Sequence, residues 1–116
     1  MGFTHLRVYQ AACELRSEVD GIIRGLPPGA RGGCGNTLKH LVEAVDSIKH
    51  NISEGNDSVY PRKKASFFDI AAGSCREARS ALQSLVERGV LSHKQATRAI
   101  GLTYVIAKML HAMRLG

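Results

Sequence analysis

Four stretches of this 116-residue chain repeat apolar residues every three or four positions, a period that fits helices and not strands. The first runs through Leu6, Tyr9, Ala12, Cys13, Val19, Ile22 and Ile23. The second runs through Leu38, Leu41, Val42, Val45, Ile48 and Ile52. The third takes in Phe67, Phe68, Ala71, Cys75, Ala78, Leu82, Leu85 and Val86, and the fourth Ala99, Thr103, Ile106, Leu110 and Met113. With no Trp and only three Phe and three Tyr, the core these stripes build must be aliphatic and rich in alanine. That composition again favours helices over sheets.

The punctuation between the stripes fits four helices. Thr4 is placed to cap a first helix over residues 5–24, with Phe3 and Val8 as a hydrophobic staple and Gly25 as its stop. Residues 26–35 (Leu-Pro-Pro-Gly-Ala-Arg-Gly-Gly-Cys-Gly) read as a flexible connection. The segment holds a cation, Arg31, but it lacks the Gly-Lys-Ser/Thr ending and the preceding strand of a nucleotide loop. A second helix is expected from the Asn36 cap to residue 54, with Gly55 at C′ and a loop over 56–60. Pro61 suits the first turn of a third helix that stops at Gly89, and Ser92-x-x-Gln95 is a capping box for the fourth. Gly73, in mid-helix, weakens it by about 1 kcal/mol relative to Ala, which points to close approach of another helix. The expectation is a single all-α domain over residues 1–116, an up-and-down antiparallel four-helix bundle. The first and third stripes are wider than one seam requires, so a second copy of the chain is expected to cover part of them.

Charge is unevenly placed. Residues 1–60 hold six Lys/Arg against seven Asp/Glu, net −1, and residues 61–116 hold ten against three, net +7. Arg62, Lys63 and Lys64 follow Pro61, where three cations oppose the helix macrodipole, so the cluster points to anion binding as well as to a solvated run. Arg76 and Arg79 are expected to face away from the third stripe and extend that basic surface. Lys94, Arg98 and Lys108 share the outer face of a fourth helix that carries no acid from Ser92 onward. These eight cations are the candidate nucleic-acid-binding residues, and their distribution is the footprint expected of a polyanion partner. The three cysteines form no C-x-x-C pair, and the longest charge-free apolar run is far short of a membrane span. A reduced, cytoplasmic protein without disulfide, metal or other cofactor, and without a membrane partner, is expected. His40 and His50 lack the spacing of a shared metal site and read as surface residues.

Polar residues edge the apolar stripe at Ser47, Asn51 and Glu54 and again at Ser74 and Glu77. Polar groups at a helix seam are costly unless they pair, so these two segments are expected to pack together. The same segments carry a resemblance. Phe3-x-x-Leu6-x-Val8-Tyr9-Gln10-x-Ala12, Ser47-Ile48-x-x-Asn51-Ile52-Ser53-Glu54-Gly55 and Phe68-x-Ile70-Ala71-x-Gly73-Ser74-x-x-Glu77 resemble, in order, the motifs of a family of small bacterial four-helix-bundle proteins. These are the 23S ribosomal RNA intervening-sequence proteins. Two features depart from that pattern: the approach to Ser47 reads Lys39-His40-Leu41-Val42-Glu43-Ala44-Val45-Asp46, and the connection before the second helix is unusually rich in glycine. In length, topology and that connection the chain also resembles the accessory proteins of diversity-generating retroelements.

The resemblance implies a ring-like homo-oligomer, typically a pentamer, with a basic surface. It marks Asn51, Glu54, Ser74 and Glu77 as signature positions, read here as a structural polar network rather than acid/base machinery. No nucleophile or ligand set stands near them in sequence, so an enzyme is not expected. The leading expectation is an oligomer that binds RNA or DNA through phosphates. With no helix-turn-helix and no aromatic stacking platform, it would not read sequence. A retroelement relative would add a reverse transcriptase as partner. The alternative is a protein-interaction scaffold associated with ribosomal RNA intervening sequences.

Overall fold

Four helices account for nearly all of the backbone: α1 (Phe3–Arg24), α2 (Ala30–Asp57), α3 (Pro61–Glu87) and α4 (His93–Leu115). The computed structural model describes residues 3–115, with the side chains of residues 3, 4, 31 and 115 excepted. The expected roles of Phe3, Thr4 and Arg31 therefore fall on side chains outside the described ones. α1 packs on α2 and α4, and α3 packs on α2 and α4, which closes an up-and-down bundle. Twenty-eight residues at about 1.5 Å each make α2 nearly as long as the 46 Å axis of the molecule.

The bundle core follows the predicted period with small phase corrections. In α1 the fully buried stripe is Val8, Ala12, Leu15 and Val19, while Leu6 is 45% exposed and Cys13 only half-buried. The expected stripe was turned by about one position, because Leu6, Tyr9 and Cys13 share a neighbouring, partly covered face. Leu41, Val45, Ile48 and Ile52 of α2 meet Phe68, Ala71, Cys75, Ala78, Leu82 and Leu85 of α3, with Ala96, Ala99, Ile106 and Leu110 of α4 completing the core.

Local signals mark three of the helix ends as expected. Pro61 opens α3. Gly89 closes it at φ 76° in a Schellman turn, where the Val90 N–H donates to the Leu85 carbonyl at 2.9 Å and the Gly89 N–H to that of Val86 at 3.0 Å. The capping box of α4 is complete: the Gln95 N–H donates to Ser92 Oγ at 3.1 Å and the Ser92 N–H to Gln95 Oε1 at 2.8 Å.

α2 departs from expectation at both ends. It begins at Ala30 rather than Asn36, with an internal kink at Cys34 (φ −135°, ψ 22°). Tertiary burial overrides the weak propensity of the glycines here, because Leu26, Cys34 and Leu38 all reach the core. The Cys34 thiol donates to the Ala30 carbonyl at 2.9 Å, and Arg88 reaches the Gly33 carbonyl from the end of α3 at 3.4 Å. The expected ten-residue flexible connection shrinks to residues 25–29. At the other end Gly55 is not a C′ residue: α2 continues to Asp57, and the Ser58 N–H closes it on the Glu54 and Gly55 carbonyls. Gly55 is instead the floor under Phe68, since a Cβ there would lie 2.7 Å from Cδ1 of that ring and nearer still to Cε1. Gly73 does not mark a close helix approach. A Cβ at that position would meet only the far end of Arg76, at 3.6 Å.

Candidate functional site

The two signature segments do pack together, through the α2–α3 seam. Ser74 Oγ donates to Ser47 Oγ at 2.8 Å, and Asn51 Nδ2 donates to the same hydroxyl at 3.1 Å and to the Ser47 carbonyl at 2.8 Å. Asn51 and Ser74 are buried, so each donor needs the partner it has. Glu54 and Glu77, expected in the same network, are exposed and hydrogen-bond to nothing among the described residues. Each stands three positions past its seam residue, about 60° round the helix, where a carboxylate stays hydrated.

Ser47 is the hub of the trio, which makes its removal worse than that of Ser74. Ser47→Ala should lower unfolding stability by about 1–3 kcal/mol, because the buried Ser74 hydroxyl loses its acceptor. Ser74→Ala leaves Ser47 with the Asn51 donor and should cost about 1 kcal/mol or less. Urea unfolding of both variants checks the order, and an equal or reversed order would remove Ser47 as the hub.

The basic residues divide by what holds them. Lys64 Nζ donates to the Gly55 carbonyl at 2.7 Å and stands 5.6 Å from the Phe68 ring centroid. It opposes the dipole of α3 but completes the C-terminal end of α2, so its placement serves the fold. Lys63 lies 5.3 Å over the Tyr60 ring, and Arg62 is exposed. Arg98 bridges Glu18 at 3.3 Å and Glu14 at 3.7 Å across the α1–α4 seam, so its charge is already answered. Lys94, Arg76 and Lys108 are exposed and ion-pair with no described residue.

Arg79 differs from its expected outward position. It is half-buried against α4, where Nε donates to Thr103 Oγ1 at 3.0 Å and its guanidinium carbon sits 3.6 Å from the centroid of Tyr104. Thr103 is fully buried and passes its own proton to the Ile100 carbonyl at 2.6 Å. Asp69 meets Arg114 at 2.8 Å in the same antiparallel register of α3 and α4. That register sets Arg76 level with residue 107, next to Lys108. Arg76, Arg79, Tyr104 and Lys108 therefore share one patch. In the sequence Tyr104 is only a lone aromatic beside a stripe, and helix pairing alone brings it under an arginine.

Beneath this patch lies Cys75, whose thiol burial pushes up to about 12, although Arg79 and Arg76 pull the other way. The group is a neutral thiol at physiological pH and has no nucleophilic character there. Between α2 and α3 on the opposite side runs an open groove of about 670 Å³, lined by Thr37, Ser47, Ser80 and Ser84 with His40 and Glu77. Among the described residues, no helix is long and apolar enough to cross a membrane.

A family model described as 23S rRNA-intervening sequence protein matches residues 4–112, nearly the whole chain. The chain belongs to that family. No match was found among curated proteins or among solved structures. For this 23S rRNA-intervening sequence protein, membership agrees with the motifs at Ser47, Asn51 and Ser74, and these are the side chains that meet at the α2–α3 seam.

Proposed function

We propose that this protein is a non-catalytic accessory protein that binds nucleic acid through phosphates, largely without reading sequence. The observation that carries the reading is the segregation of charge. The α3–α4 hairpin holds all eight candidate cations, and Arg62, Arg76, Lys94 and Lys108 among them are exposed with no acid paired to them among the described residues. Arg16, Arg98 and Lys39, by contrast, are matched to acids on α1 and α2. An unanswered basic face attracts a polyanion and releases its counterions. The neutral, buried Cys75 supports a binding role over nucleophilic catalysis by that thiol.

Assembly into a ring, with a pentamer as the expected form, belongs to the same proposal. Leu6, Ile70 and Val105 leave 45–50% of their surface open, and Val59 81%, which is apolar area that a second copy would cover. Repeating the basic face around a ring would multiply phosphate contacts. A reverse transcriptase as protein partner rests on the resemblance to retroelement accessory proteins.

The test is fluorescence anisotropy of labelled structured RNA and duplex DNA from about 50 to 300 mM salt, with the oligomer mass recorded alongside. Affinity should fall steeply with salt. The Arg76→Glu/Lys108→Glu variant should weaken binding to every sequence alike and reduce the log–log salt slope by about 1.5–2 units. Lys64 is left intact because reversing it would break its bond to α2. Binding that the charge reversal leaves unchanged removes this face from the proposal, and absence of binding at the lowest salt overturns it.

A further inference from the structure

Tyr104 is the one large aromatic of α4, and it is 55% exposed although a fully buried residue, Thr103, precedes it. Its ring is held rather than free. The Arg79 guanidinium covers it at 3.6 Å, and the Nε bond to Thr103 Oγ1 keeps that guanidinium from swinging away. Thr103 is itself fixed through its bond to the Ile100 carbonyl. A ring ordered in this way offers its exposed surface with little conformational entropy left to lose. The two terminal nitrogens of Arg79 hydrogen-bond to no described residue, and Arg76 and Lys108 stand together about one helical turn away, toward the C-terminal end of α4. A flat ring, a spare fork of donors and a pair of cations one turn away match a base with its neighbouring phosphates.

We propose that Arg79 and Tyr104 form a stacking platform for an unpaired nucleobase, so that the preferred ligand of the α3–α4 face is single-stranded nucleic acid. The inference rests on the nucleic-acid reading above and deepens it by naming the form of the ligand. A base inside a duplex presents only its edge, and its face is taken by its neighbours. An unpaired base can lie on the Tyr104 ring while its flanking phosphates meet Arg79, Arg76 and Lys108. Every base has a π-face, so the platform adds affinity without sequence preference, in keeping with binding through phosphates. Arginine over the ring contributes a cation–π interaction that tightens the stack.

The experiment uses the intact protein, a labelled fifteen-nucleotide oligothymidylate, and an abasic sugar–phosphate strand of the same length, all at one low salt concentration. Wild type should bind oligothymidylate more tightly than the abasic strand. Tyr104→Ala should weaken oligothymidylate binding by about 5- to 100-fold and leave the abasic strand unchanged, while Tyr104→Phe should behave as wild type. Circular dichroism and oligomer mass establish that each variant stays folded and assembled, as expected for a mostly exposed side chain. Equal affinity of wild type for the two probes, or unchanged oligothymidylate binding by Tyr104→Ala, overturns the platform and leaves the phosphate reading standing. Equal losses on both probes also overturn it, since the tyrosine would then act on the basic face as a whole. Failure of wild type to bind either probe overturns the single-strand proposal, and the parent reading falls with it only when structured RNA and duplex DNA also go unbound.

Discussion

Gly55→Ala is expected to lower stability by about 2–3 kcal/mol, roughly 10 °C in the melting temperature of a chain this size. In an exposed helix the same change would raise stability by up to about 1 kcal/mol, because Ala is the better helix former. Gly55 lies inside α2, so that gain is available here as well. It is outweighed because the new Cβ would stand 2.7 Å from Cδ1 and 3.1 Å from Cζ of Phe68. Phe68 is 1% exposed and packed by the core, so the ring has nowhere to move without displacing its neighbours. Gly73→Ala supplies the contrast, since its Cβ meets only the flexible end of Arg76 at 3.6 Å, and it should gain up to about 1 kcal/mol. Thermal and urea unfolding of the two variants should move in opposite directions. A Gly55→Ala protein as stable as wild type would mean the ring does not rest on the α2 backbone.

Phe68→Ala is expected to be the most damaging single change, at about 3–5 kcal/mol. The ring is the largest fully buried side chain, and it sits where three elements meet. It covers Gly55 of α2, takes Lys64 at 5.6 Å over its face, and lies 6.2 Å from the His5 ring of α1. Its removal opens a cavity and unseats the Lys64 contact that ends α2. The two changes should also be coupled. In the Phe68→Ala background, Gly55→Ala should no longer destabilise, because the new methyl enters the space the ring has left. A double-mutant cycle that adds within about 0.5 kcal/mol would show that the two residues do not share a contact.

His5 adds a smaller electrostatic effect at the same end of the bundle. Burial, and then the positive charge of Lys64, hold its imidazole below the ordinary value of 6.5. The unfolded chain therefore takes up the proton more readily than the folded one. That contribution to stability is complete above 6.5 and fades as pH falls through 6.5 toward the lower folded value.

The candidate site was less legible than the fold. Segregation of cations into residues 61–116 could be counted in the sequence, but which of them remain available could not. Arg98 and Lys64 look equivalent to Arg76 and Lys108 as letters. Arg98 meets Glu14 and Glu18 eighty or more positions away, and Lys64 meets a backbone carbonyl nine residues back. Arg79 was expected at the surface because its helical-wheel position lies off the stripe, and pairing with α4 placed it against Thr103 and Tyr104 instead. The polar signature was read as four residues. Tertiary packing keeps Asn51 and Ser74, makes Ser47 their shared acceptor, and leaves Glu54 and Glu77 in water.

The sequence by itself determined the helices, their number, and those ends whose signals are short-range: Pro61, the Gly89 turn and the Ser92–Gln95 box. Such features depend on hydrogen bonds and dihedral preferences within a few residues, so a local reading captures them. That reading failed at Gly55, Gly73 and the glycine-rich run before Asn36, because the backbone freedom of glycine suits a turn, a kink or a close contact equally well. Tertiary structure made Gly55 a contact surface, drew the glycine-rich run after Ala30 into α2, and left Gly73 with ordinary space. It also set the register of α3 on α4, which stacked Arg79 on Tyr104. Those outcomes depend on which atoms arrive from distant parts of the chain, and burial of the core decides that only once all four helices are in place.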